Sequence, residues 1–226
     1  MSAWILGVLA LAAGSTGGEP ATAVEARDEP MHRTVYLDPL VRVWDVVIPA
    51  HGHTLYHIHR LDLAGVTIAP GPTRTETGAA PPEDQAAGHP GETWFAPHPQ
   101  VDVHRVNNVG DSAIHLVALE LQSAAKHAGM IRESGSTSGS VEQQNDTVRI
   151  VRYKLGVGER VPSRAGGHYV VVALGAGRIG GACGDTQART LAAAGFVCAG
   201  SERSHSLTNA GESTLEILEF ELAETE

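Results

Sequence analysis

From residue 41 to residue 222 the apolar residues fall in short runs broken by clusters of Gly, Pro, Asn and Asp. "RVWDVVI", "LAGVTIA" and "IHLVALEL" lead the first half of the chain, and "VRIVRYKL", "YVVVALG" and "LEILEFEL" the second. Runs of this length, rich in Val, Ile and Leu and separated by turn-forming residues, predict the strands of a sandwich or barrel. Two stretches interrupt the pattern. "GPTRTETGAAPPEDQAAGHPG" (71–91) is too rich in Pro and Gly to predict an element, and a long loop there is placed to cover a barrel mouth. Residues 123–147 are polar, contain "ESGSTSGS" and read as a linker, with room for a short helix in "SAAKHAGMIRES".

The runs repeat. "HRVNNVGDSAIHLVALEL" (104–121) aligns without a gap on "HSLTNAGESTLEILEFEL" (205–222), matching His104 with His205, Asn108 with Asn209, Gly110 with Gly211, Ser112 with Ser213 and Glu120 with Glu221. "VRVWDVVIPAHG" (41–52) likewise matches "VRIVRYKLGVG" (148–158) with one gap. Two copies of about 80 to 90 residues are implied, each small for a domain, so they are expected to pack on one another. The boundaries predicted are 33–122 for the first copy and 148–226 for the second. "NNVGDS" and "TNAGES" are expected as hairpin turns before each last strand.

Ahead of the copies, "AWILGVLALAA" (3–13) is too short to span a bilayer but has the size of a secretory signal core. Small residues follow it, as in Ala21-Thr22-Ala23, so residues 1–23 are predicted to be a cleaved signal, with disordered polar sequence after it. The expected location is periplasmic or extracellular, with no integral membrane span. The only cysteines, Cys183 and Cys198, form one bridge in an oxidising compartment or stay two small buried thiols; the spacing leaves both open.

The composition is that of a soluble protein of 226 residues: 42% hydrophobic and 19% charged, with 26 Gly, 12 Pro and few aromatics, which favours a turn-rich β protein. A formal net charge of −10 leaves no basic patch to displace counterions and argues against a nucleic-acid partner. The partner expected is a small-molecule substrate or ligand, and a homodimer is left open.

The candidate chemistry lies in "LYHIHRLDL" (55–63). Side chains alternate along a strand, so His57 and His59 share a face, and the apolar residues that follow turn that face inward. An antiparallel neighbour beginning at His104 brings a third imidazole to them. Three convergent imidazoles suit one divalent transition metal, Fe first, then Mn, Ni, Cu or Zn.

These residues resemble the two motifs of the cupin superfamily. "GHTLYHIHRLD" and "GETWFAPHPQVDVHRVNNVGD" supply the matching positions Gly52, His57, His59, Gly91, Pro97, His104 and Asn108. The resemblance implies an all-β chain of two tandem jelly-roll barrels, a bicupin, with the metal inside the first. The chain departs from the family pattern in two places. Leu63 and Ala64 stand where a Glu ligand is usual, and Asp62, at the wrong strand parity, is the alternative. Pro97 to His104 is also longer than usual, which a bulge or an altered loop would absorb.

In the second copy Ser163 and Ala165 align with the histidine pair and His168 with Asp62, so only His205 and Asn209 are kept, and a supporting barrel is expected. His51 and His53 sit by Pro49 and Gly52 and are placed at the barrel entrance. His98, in "APHPQ", faces the cavity or a surface turn; His89, His115 and His127 are expected in solvent. The resulting expectation is a metal-binding bicupin of mononuclear dioxygenase type, its alternatives a non-catalytic small-molecule-binding or storage bicupin and a cupin isomerase or hydrolase. Imidazoles near their reference pKa of about 6.5 predict that metal binding weakens below about pH 6.

Overall fold

The computed structural model describes residues 22–78, 80–122, 139–161, 164–165, 168–181, 187–191, 195–200 and 204–222. The signal segment, the proposed helix at 123–134, His127 and Cys183 lie outside them, and so does the side chain of Cys198, so the disulfide question lies outside the described residues.

Among the described residues, ten strands make the first copy. They are β1 (Val24–Glu25), β2 (His32–Leu37), β3 (Val41–Ile48), β4 (His57–His59), β5 (Leu63–Ala69), β6 (Thr73–Glu76), β7 (Glu83–Gln85), β8 (Thr93–Ala96), β9 (Asp102–Asn108) and β10 (Ile114–Leu121). Ten more, again among the described residues, make the second. They are β11 (Ser140–Gln144), β12 (Val148–Leu155), β13 (Arg164–Ala165), β14 (His168–Ala173), β15 (Gly177–Gly180), β16 (Arg189–Leu191), β17 (Phe196–Gly200), β18 (Ser204–His205), β19 (Thr208–Asn209) and β20 (Leu215–Leu222). No helix among the described residues is long and apolar enough to cross a membrane.

The first copy folds as two five-stranded sheets, in the orders β1-β4-β9-β6-β7 and β2-β3-β10-β5-β8. The second repeats the second of these as β11-β12-β20-β14-β17, while its other sheet is divided into β13-β18 and β16-β15-β19. Alternation along β3 shows how the layers stack. Trp44, Val46 and Ile48 turn into the first barrel with Leu63, Ile114 and Ala118. Val41 and Val43 turn the other way, into a core shared with Val148, Ile150, Val170, Leu218 and Phe220 of the second copy. The large sheets thus pack back to back, and strands buried on both faces read as the near-continuous apolar runs seen in the sequence.

Several expectations are corrected. The stretch 71–91 carries a hairpin, β6–β7, held by pairing with β9 and by the exposed Arg74–Asp84 ion pair at 2.6 Å. Part of the proposed linker is β11, which adds to the second large sheet. Residues 24–32, read as disordered sequence, form β1 and a 3-10 turn (Ala26–Asp28) against the first barrel.

"NNVGDS" is not a hairpin turn, because β9 and β10 lie in different sheets. The buried Asn108 drives the crossing: its Nδ2 donates to Ile48 O, Pro49 O and Ser112 O, and its Oδ1 accepts from Gly110 N. Asn209 does the same in the second copy with Leu155 O, Ser213 O and Gly211 N. The repeated Asn is therefore a structural corner that satisfies backbone groups freed as the chain changes sheets.

Candidate metal centre

β4 pairs antiparallel with β9 so that His57 lies opposite His104, Ile58 opposite Val103 and His59 opposite Asp102. This register is regular, and the extra residues between Pro97 and His104 are taken up in the loop ahead of β9 rather than in a bulge. The rings of His57 and His59 are 4.8 Å apart, those of His57 and His104 4.6 Å, and those of His59 and His104 5.1 Å. One nitrogen from each lies within 4.8 Å of the others, the one such group among the described residues. The near-equal separations set the three rings around one point, and three imidazoles are fewer ligands than a divalent transition metal takes.

Hydrogen bonds fix which nitrogen each ring offers. His57 Nδ1 donates to Leu55 O at 2.9 Å, and His104 Nδ1 donates to Asp102 Oδ2 at 2.7 Å, so both rings are left with a lone pair on Nε2. A carboxylate behind an imidazole raises its basicity and fixes its direction, the usual support of a metal-binding His. His59 Nδ1 is buried with no hydrogen-bond partner among the described residues. Burial, with His104 adding to it, pushes His57 down to about 3; the same two causes, joined by His57, His32 and His98, push His59 down to about 2. Both rings are accordingly neutral, the form a metal requires. The hydrogen bond from His104, with the His98 imidazole close by, holds Asp102 far below the usual carboxylate range. The donor set, its backing groups and the unsatisfied His59 nitrogen together fit a divalent transition metal.

Two further imidazoles flank the trio. His98 is expected from the sequence at either a cavity or a surface turn, and it faces the cavity: its ring is 5.4 Å from His59, and its Nε2 is 3.8 Å from Asp102 Oδ2. His32, which the sequence reading passes over, comes from β2, with its ring 4.7 Å from His57 and 5.9 Å from His59. The signal was its place at the head of "HRTVYL", a short alternating run. Trp44 closes the floor, 4.9 Å from His32 and 6.1 Å from His59, with its Nε1 buried and unpartnered among the described residues. Asp102 was also missed, although it shares the face of His104 by simple alternation.

The remaining candidates fall elsewhere. Asp62 stands outside the trio; its Oδ1 accepts from His98 N at 2.7 Å and so anchors the His98 loop. His53 bridges Asn107, and His51 is exposed beside Asp111 at 3.2 Å. His89 is exposed as expected, whereas His115 is half-buried against Asp45 at 2.5 Å. In the second copy Arg164 lies opposite His205, and Ala165 opposite Ser204. Matched on His205, the position of His57 therefore belongs to Arg164 rather than Ser163, one residue away from the gapped sequence alignment.

Neither a family model nor a curated protein sequence matches the chain. Solved structures do match. A salicylate 1,2-dioxygenase from Pseudoaminobacter salicylatoxidans, with gentisate adducts, is 10% identical with a TM-score of 0.57, over 82% of this chain and 69% of that one. A cupin 2 conserved barrel domain protein from Leptotrichia buccalis is 11% identical, TM-score 0.53, over 84% and 87%. AerE from Microcystis aeruginosa is 12% identical, TM-score 0.51, over 87% and 99%. At these identities the likeness is one of fold: the chain has the fold of these cupin structures, two tandem jelly-roll barrels.

Proposed function

We propose that the first barrel is a mononuclear metal centre of dioxygenase type acting on a small molecule, with His57, His59 and His104 as ligands and iron as the metal. The observation that carries this reading is the convergence of three imidazoles, two of them buried and neutral (His57, His59) and two aimed by Leu55 O and Asp102 (His57, His104). A metal held by three imidazoles supplies Lewis acidity and, for iron, redox chemistry at the positions left open. The chain's own residues set the conditions: Asp102 orients His104, Trp44 and His32 pack against the trio, and His98 sets a further imidazole beside His59. Similarity of fold to a salicylate dioxygenase that holds gentisate supports a small aromatic acid as the first substrate to try.

A second reading, metal-assisted isomerisation or hydrolysis, is favoured by one observation, a fourth imidazole beside the trio, that of His98 with its ring 5.4 Å from His59, a group of the kind that serves as general acid or base. Oxygen uptake by iron-loaded protein with gentisate or salicylate separates the readings. Consumption of oxygen with ring-opened product supports the dioxygenase; conversion without oxygen supports the second reading; stable binding without conversion supports a non-catalytic binding bicupin. Export belongs to the same proposal, supported by the apolar run at 3–13. Mass spectrometry of the native protein is expected to show a mature start between about residues 13 and 24, and an intact Met1 would overturn it.

A further inference from the structure

The chain ahead of the first barrel runs alongside the ligand-bearing strand. β1 pairs in parallel with β4, Val24 against His57 and Glu25 against Ile58, and Val24 N donates to Tyr56 O at 2.9 Å. The 3-10 turn then buries Ala26 in the barrel core, and the segment returns through Glu29 to His32. Glu29 is 3% exposed, which is unusual for a carboxylate. Both of its oxygens are taken up by backbone donors: Oε2 accepts from Met31 N at 2.6 Å and Oε1 from Leu55 N at 3.1 Å.

Leu55 is also the residue whose carbonyl accepts from His57 Nδ1. A continuous path therefore runs from the Glu29 carboxylate through the Leu55 backbone to the ring of His57. On the other side of the same segment, His32 N donates to Glu29 O at 3.0 Å and His32 Nδ1 to Ala26 O at 2.8 Å, which sets the His32 ring edge-on to His57. One buried acid thus ties down the segment and the backbone that aims a ligand. A charge-assisted bond holds that backbone more firmly than a neutral one would.

We propose that residues 24–32 are a working strap of the metal centre, and that Glu29 is a positioning residue for His57. The inference rests on the metal-binding reading of the trio. Groups that orient a ligand imidazole through its other ring nitrogen typically govern metal affinity by about ten- to a hundredfold, and Glu29 acts on that orientation one residue further back. A segment that merely covers the barrel would leave the metal's surroundings unchanged when its acid is replaced.

The test uses cobalt(II) with the full chain, reading affinity by competition with a chelator and geometry by the visible d–d bands. Glu29→Ala is expected to weaken cobalt binding by about tenfold or more and to shift the bands. Glu29→Gln, whose single amide oxygen can still accept from Leu55 N, should recover part of both. Asp84→Asn, which removes a carboxylate from the exposed β6–β7 hairpin, should change neither. Should Glu29→Ala not fold, Glu29→Gln decides alone: wild-type affinity and bands in that variant overturn the strap. Wild-type protein that binds no cobalt overturns the metal reading and the strap with it, whereas wild-type binding shared equally by the Glu29 variants overturns the strap only.

Discussion

The two barrels share a corner and differ in a strand pair. In each, a buried Asn turns the chain from one sheet to the other, Asn108 in the first and Asn209 in the second. Each also sets an Arg against a Glu on mostly buried positions: Arg42 Nε lies 3.4 Å from Glu120 Oε2, and Arg149 Nη1 lies 3.0 Å from Glu221 Oε2. Burial pushes both Glu carboxyls up. Where the first barrel pairs His57 with His104 along an unbroken β9, the second pairs Arg164 with His205 on a strand divided into β18 and β19. The shared Asn and Arg–Glu positions belong to the scaffold; of the trio only His104 has a counterpart, His205, and the barrels part at the position of His57, held by Arg164 in the second. A repeat in sequence thus marked the frame more clearly than the site.

The largest effect expected from this comparison falls on both barrels alike. Asn108→Ala leaves the carbonyls of Ile48, Pro49 and Ser112 without their donor, and Asn209→Ala does the same to Leu155 and Ser213. Each substitution should cost about 3 kcal/mol, given about 1–3 kcal/mol for each buried group left unpaired, read from urea denaturation. A large loss in one barrel and none in the other would break the equivalence of the corners.

Asp102→Asn should act on the first barrel only. It removes the carboxylate behind His104 and is expected to weaken metal binding by about ten- to a hundredfold, as measured by chelator competition. Equal metal affinity in the variant would mean that His104 needs no such backing.

A smaller effect concerns pH. In the unfolded chain His57 and His59 take up protons near pH 6.5, but in the folded chain burial holds them neutral down to about 3 and about 2. Between pH 6.5 and about 3 the unfolded state thus binds more protons, and the stability of metal-free protein should fall as pH falls. Asp102, whose folded value is depressed, adds stability above its unfolded pKa that is lost as pH drops below about 4. Both slopes have the same sign. Melting temperatures of metal-free protein and of its His59→Phe variant from pH 7 to pH 4 check this; the variant's curve should be the flatter.

What was legible in the sequence follows from where the structural information lies. The strands β3, β5, β10, β12, β14 and β20 are buried on one or both faces, so their apolar runs announce them. His57 and His59 were legible because strand alternation alone puts them on one face. The hairpin β6–β7 was not, because its strands are polar and are held by the register with β9. The strap was hidden for a similar reason: β1 has two residues, and what orders it is Glu29 reaching Leu55, a contact between distant positions. The one-residue error at Ser163 has the same origin, since the match to His57 depends on which residue lies opposite His205.

The asymmetry of the barrels is tested most directly by metal content per chain, measured by elemental mass spectrometry on wild-type protein and on His57→Ala, His104→Ala and His205→Ala. One equivalent of a divalent transition metal is expected in the wild type and in His205→Ala, and none in the other two. Two equivalents per chain, or one that survives the loss of His57 or His104, would place the metal outside the trio in the first barrel.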